Sequence, residues 1–154
     1  LVRSRGLGDV YKRQADYLFT NEYESHLTES KTGWSAAEIE ERVTTRVITK
    51  GKDGVTIITQ GAEPIHVDVV PHVEQVDPTG VGDAFRAGFL TGLDAGLDHR
   101  RCAQMGSTLA AYVLETVGTQ EYTLGNGGFL RRLEQAYGAD AAAEIAPHVR
   151  CAQP

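Results

Sequence analysis

The stretch Asp77-Pro78-Thr79-Gly80-Val81-Gly82-Asp83-Ala84-Phe85 decides how this chain is read. A Gly-x-Gly turn runs directly into a segment with helical apolar spacing, Phe85, Phe89 and Leu93, with Leu90 alongside on the expected buried face. Glycines reach turn conformations that strain other residues, and they let a ligand come close to the backbone. The first amides of a helix have no intrahelical acceptor, and the helix dipole adds partial positive charge there. Gly80, Val81 and Gly82 can therefore offer N–H groups to an anion, most naturally a phosphate. Asp83 is the unexpected member, because a carboxylate repels phosphate. It makes chemical sense as a base that takes the proton from a hydroxyl attacking that phosphate. The plainer alternative is a glycine turn with Asp83 as an ordinary helix cap.

Two other phosphate motifs are excluded. No Gly-Lys-Ser/Thr ending is present, so this is not a Walker A loop, and Phe85 stands where a dinucleotide fingerprint needs its third glycine. The longer string DPTGVGDAFRAGFLTGL, residues 77–93, closely resembles the second signature of the ribokinase-like (PfkB-type) carbohydrate and nucleoside kinases. That signature reads Asp-Thr-x-Gly-Ala-Gly-Asp, then Phe and a glycine-bearing helix; the departures here are Pro78 for Thr and Val81 for Ala. The resemblance implies that Asp83 is the catalytic base and that Gly80, Val81 and Gly82 form the anion hole.

Three further elements take meaning from the same resemblance. Asn21-Glu22-Tyr23-Glu24 fits the family's Asn-x-x-Glu element, which implies that Asn21 and Glu24 help place the ATP phosphates and Mg²⁺, largely through water. No protein-built metal site is expected. Taken alone, the same four residues are a helix-capping pattern. Thr49, Lys50, Gly51 and Gly54 correspond to a Thr-x-Gly-x-x-Gly turn bordering the ATP site, although locally they also suit a plain hairpin. Asp77 and Thr79 match positions that bind a monovalent cation, K⁺, in some relatives, and otherwise simply end a strand. ADYLFTNEYE (15–24), Gly33-Trp34 and ETVGTQEY (115–122) resemble the adenosine kinases of actinobacterial type within the family.

The implied fold is α/β, the C-terminal half of a three-layer α/β/α domain with a central, mostly parallel sheet. The implied reaction, in an intact parent protein, moves the γ-phosphate of Mg·ATP to the 5′-hydroxyl of adenosine. Another acceptor such as ribose or fructose, or an inactive truncated fragment, is the alternative. Family members often dimerise through lid strands, which would make an intact parent a homodimer.

Bulk properties agree with a soluble globular protein. The chain has 154 residues, 41% hydrophobic and 23% charged, with a net charge of -6 that disfavours nucleic acid and anionic membranes as partners. No apolar run reaches the length of a membrane span and no signal-peptide pattern opens the chain. Cys102 and Cys151 fit no redox or metal spacing and read as reduced thiols of a cytoplasmic protein. Met105 is the only methionine, which predicts missing upstream sequence. Residues 1–14, LVRSRGLGDVYKRQ, lack apolar periodicity and resemble a translated adapter, so a non-native leader is expected; a native basic arm is the alternative. Residues 15–154 form one domain in this reading.

Along the chain, Tyr17-Leu18-Phe19 reads as a short buried strand. Ser35 with Glu38 forms a capping box for a helix to about Val43. Strands are expected over 46–50, 55–60 and 65–70, the last alternating Ile65, Val67 and Val69 with polar neighbours. Gly88 and Gly92 read as close-packing positions and Gly96 as the helix stop. Asp98 caps a helix facing Cys102, Met105, Leu109 and Val113 inward, with Gly118 past its end. A helix near 129–137 closes at Gly138, and another follows Asp140 until Pro147.

Overall fold

The computed structural model describes residues 15–125 and 127–149, so the expectations for residues 1–14 and Cys151 lie outside the described residues. Two compact units divide between His66 and Val67. The first contains β1 (Ala15–Asn21), α1 (Glu22–Thr32), α2 (Ala36–Glu40), β2 (Val43–Thr49) and β3 (Val55–Thr59), and β4 (Ile65–Val67) runs across the division. The strand order is β1-β2-β3-β4. β1 and β2 pair in parallel, from Ala15 opposite Val43 to Asn21 opposite Thr49. β2 and β3 pair antiparallel, so the sheet is mixed among the described residues. The reason is connection length: α1 and α2 supply the crossover that parallel neighbours require, whereas residues 50–54 are long enough only for a hairpin.

β1 is longer than the expected 17–19 segment. α2 stops at Glu40 instead of reaching Val43, because Val43 opens β2 and the β-branched run Thr44, Thr45, Val47, Ile48 favours a strand. Consecutive residues Thr45, Arg46 and Val47 are all buried, as expected of a strand covered on both faces. α1 is polar almost all round, and no apolar period announces it. Arg46, 2% exposed, fastens it to the sheet: its Nη2 donates to Ser25 Oγ at 2.7 Å and to Glu29 Oε1 at 3.3 Å. Its Nη1 reaches Glu40 of α2 at 3.4 Å. Ser25 and Glu29 lie four residues apart, on one helix face, so a single guanidinium spans both.

The second unit holds α3 (Val81–Asp94), α4 (His99–Leu114), α5 (Gly128–Tyr137) and α6 (Ala139–Ile145), the last followed by a 3-10 turn at Ala146–His148 around Pro147. The strand expected over 65–70 ends at Val67. The Asp68 carbonyl accepts the Tyr137 hydroxyl at 2.8 Å, Val69 is exposed and Val70 is buried, so the two-residue period has broken. Phe85 and Phe89 are buried as the spacing predicts, but Leu90 is 50% exposed. One residue beyond Phe89 is about 100° further round the helix, off the stripe.

α3 and α4 approach closely because both carry glycine at their crossing. A Cβ built on Gly88 would lie 2.7 Å from Gly106 Cα, and one on Gly106 would lie 2.6 Å from the Phe85 carbonyl oxygen. Gly92 faces Cys102 in the same way, at 3.0 Å. The Asp98 side chain caps α4 by accepting the Arg101 N–H at 2.8 Å. Cys102, Met105 and Val113 are buried and Leu109 partly so; burial pushes the Cys102 thiol up to about 11, leaving it inert. Met105 continues into a core with Phe129, Leu133, Ala141 and Ile145. Among the described residues no helix is long and apolar enough to cross a membrane.

Candidate active site

The first turn of α3 begins at Gly80, whose φ of 81° lies in the left-handed region that glycine reaches freely. The Ala84 N–H donates to the Gly80 carbonyl at 2.9 Å, closing the first helical turn. The Val81 N–H is engaged by the Pro78 carbonyl at 3.3 Å. No side chain caps this helix, and among the described residues the Gly82 and Asp83 amides have no backbone acceptor. Of the three expected donors, Gly80, Val81 and Gly82, only the Val81 amide has a backbone acceptor among the described residues, and Asp83 adds one more open N–H. A Cβ on Gly82 would meet nothing within 4 Å, so packing does not explain that glycine.

Asp83 has an 83% exposed side chain, and its Oδ1 accepts Arg86 Nη1 at 3.1 Å. An exposed pair of this kind is weak and exchanges readily with other partners. Asp83 does not cap α3 through its side chain.

Asp77 is bound more tightly. Its Oδ1 accepts the Thr79 N–H at 2.9 Å and its Oδ2 the Gly118 N–H at 3.1 Å. The hydroxyl and N–H of Thr79, then the Gly118 N–H, hold this carboxyl below the ordinary Asp value. The Val76 and Asp77 amides both donate to the Leu114 carbonyl, at 2.9 and 3.1 Å. The signature is thereby tied to the end of α4 and to the segment after it. Glu115, in that segment, takes both Arg132 Nη atoms at 2.6 Å, and Arg132 lies 4.9 Å from the Tyr112 ring centroid. Thr119 completes the arrangement, its Cγ2 standing 2.6 Å from where a Gly80 Cβ would be. Sequence reasoning singled out 115–122 only as a resemblance. Its contacts to the turn join residues about forty positions apart and leave no local pattern.

In the first unit, Asn21 and Glu24 form a complete capping box: the Asn21 N–H donates to Glu24 Oε2 at 2.9 Å and the Glu24 N–H to Asn21 Oδ1 at 2.8 Å. Thr49 ends β2, and the Lys50 N–H donates to the Gly54 carbonyl at 2.8 Å across a 3-10 turn at Gly51–Asp53. Gly51 and Gly54 both have positive φ, 56° and 78°. Because Asn21 is the register partner of Thr49, these two elements sit together at the carboxyl ends of a parallel strand pair. That is where open α/β sheets place ligands. Among the described residues no three His, Cys, Asp or Glu side chains gather in a metal-binding group.

Residues 5–124 match the model of the pfkB family carbohydrate kinases. The chain belongs to that family. A nucleoside kinase of Methanothermobacter thermautotrophicus is 33% identical over 124 residues, which is 80% of this chain and 39% of that protein. The pfkB fold is matched by the solved Burkholderia thailandensis nucleoside kinase in complex with ADP-inosine, with TM-score 0.77 and 36% identity over 81% of this chain and 39% of that one. Arabidopsis thaliana ribokinase complexed with ribose and ATP matches with TM-score 0.65 and 25% identity, over 77% of this chain and 41% of that one. The fold is ribokinase-like α/β, and the chain spans about two-fifths of the length of these pfkB-family relatives.

Proposed function

We propose that the chain carries the phosphate-binding and catalytic-base part of an ATP-dependent kinase whose acceptor is the 5′-hydroxyl of adenosine. The observation that carries this reading is the first turn of α3, with open amides at Gly82 and Asp83 beside an exposed Asp83 carboxylate. Phosphoryl transfer asks little covalent chemistry of a protein and much positioning and electrostatics. The amides and the dipole of α3 would stabilise charge on the transferring phosphoryl oxygens. Asp83 would accept the hydroxyl proton as the oxygen attacks. Its pairing with Arg86 is exposed, so exchanging that partner for a hydroxyl costs little.

A nucleoside acceptor is supported by the Methanothermobacter thermautotrophicus relative, named a nucleoside kinase, and by the Burkholderia thailandensis nucleoside kinase solved with ADP-inosine, 36% identical to this chain. Inosine and adenosine share ribose and a purine, and within this proposal adenosine is favoured by the resemblance carried by residues 15–24, Gly33-Trp34 and 115–122. Asn21, Glu24, Thr49, Lys50, Gly51 and Gly54 would flank the nucleotide. Mg²⁺ bound to ATP keeps several waters and asks the protein for one or two carboxylates, a need Glu24 can meet through water. The ion would supply charge neutralisation on the phosphates. The same reading puts K⁺ beside Asp77 and Thr79. Each Asp77 oxygen accepts one amide hydrogen and keeps a second lone pair, so the carboxylate would still be able to hold the ion, and no step is assigned to it. A cytoplasmic, homodimeric parent belongs to the same proposal.

The test is Asp83→Asn in a full-length protein containing this chain. Turnover of ATP with adenosine should fall by about 10²–10⁴ with the melting temperature and ATP affinity retained. Turnover within a few-fold of the parent would remove Asp83 from the mechanism.

A further inference from the structure

We infer that Thr119 and Asp77 are positioning residues for the α3 turn, the first through its methyl group and the second through its hold on Gly118; this rests on the reading of that turn as a phosphate site. The turn's one left-handed residue is Gly80, and its conformation sets the direction of the amides that follow. Thr119 packs against the Cβ side of Gly80, its Cγ2 standing 2.6 Å from a Cβ built there and its own Cβ at 3.0 Å. A threonine on an exposed segment can wedge a turn only if that segment is itself fixed. Asp77 fixes it: the carboxylate bridges the Thr79 N–H on the turn side and the Gly118 N–H on the loop side. Gly118 has a φ of 89°, a left-handed bend that directs the chain from α4 back onto Gly80. The result is a closed circuit from Asp77 to Gly118, Thr119, Gly80 and back through Thr79, made of short side chains and backbone. Neither Thr119 nor Asp77 need touch phosphate for its loss to misdirect the amides at Gly82 and Asp83.

Valine and serine separate the two ends of the Thr119 side chain. Valine keeps the methyl and loses the hydroxyl; serine does the reverse. The purified 154-residue chain is used throughout, with amide hydrogen exchange read without nucleotide and amide shifts read during an ATP titration. In Thr119→Ser the Val81 and Gly118 amides should exchange about fivefold faster than in the parent, and ATP affinity should drop about fivefold. Thr119→Val should match the parent in both. Asp77→Asn, which keeps one acceptor oxygen and loses the other, should speed exchange at Gly118 or Thr79 and weaken ATP in step.

Unchanged exchange at Val81 and Gly118 in Thr119→Ser overturns the inference. So does a rise spread over all amides that tracks a lower melting temperature, because Thr119 is then merely structural. If the parent's Gly82 and Asp83 amides ignore ATP while the exchange pattern comes out as expected, the phosphate reading fails and the positioning of the turn stands.

Discussion

Gly82 in the first turn of α3 and Gly88 further along it are the same residue in the same helix, yet their surroundings are opposite. Gly88 meets the backbone of α4, where an added Cβ would sit 2.7 Å from Gly106 Cα; around Gly82 nothing lies within 4 Å. The first glycine pair is required by the fold. At Gly82 the helix forgoes the stability that alanine would add, roughly 1 kcal/mol in a helix interior, with no packing return. A glycine in open space, beside amides without acceptors, is what close approach of a ligand to the backbone requires. The contrast separates the part of α3 that builds the domain from the part proposed above to meet phosphate.

The largest effect should come from closing the crossing. Gly106→Ala would push a methyl to 2.6 Å from the Phe85 carbonyl, and backbone cannot move aside as a side chain can. A loss of about 3 kcal/mol in denaturant unfolding is expected, at the upper end for overpacking. A loss below about 0.5 kcal/mol would mean that α3 and α4 are further apart than described.

A smaller effect tests the clamp on the far end of α4. The double hydrogen bond from Arg132 holds the Glu115 carboxyl below its usual value and raises Arg132. Glu115 has a depressed folded pKa, so its contribution is present above the unfolded value of about 4.3 and is lost as pH falls through the folded one. The raised Arg132 titrates above any working pH and adds no further limb. Glu115→Gln should cost about 1–2 kcal/mol at pH 7, and the gap to the parent should narrow as pH falls below the unfolded value of about 4.3. A gap that persists in acid would assign the loss to packing against Tyr112 instead of charge.

How far the sequence revealed this molecule follows the same division. The glycine turn that opens α3, the apolar stripe of that helix, the close-packing glycines and the Asp98 cap were all legible, because each is written within a few neighbouring residues. Leu90 was misjudged because a four-residue repeat does not specify how wide the buried stripe is. α1 escaped notice because its attachment is polar, through Arg46 to Ser25 and Glu29, and polar docking has no period. The end of α2 was set by β2 pairing with β1 rather than by a local stop signal. Gly118 and Thr119 belong to the turn only in three dimensions, by contacts to Asp77 and Gly80. Asn21 and Glu24 held two meanings in one pattern; the capping box is formed, and their place opposite Thr49 leaves the nucleotide role as the proposal above.

The most direct measurement is Gly82→Ala in the purified chain, followed by both a melting curve and an ATP titration read at the Asp83 amide. Nothing surrounds the new methyl, so the melting temperature should stay level or rise slightly. The same methyl would stand between phosphate and the open amides, and ATP affinity should fall by about tenfold or more, near 1.4 kcal/mol. An ATP response that survives within twofold of the parent would contradict the account of the first turn of α3 as the phosphate site.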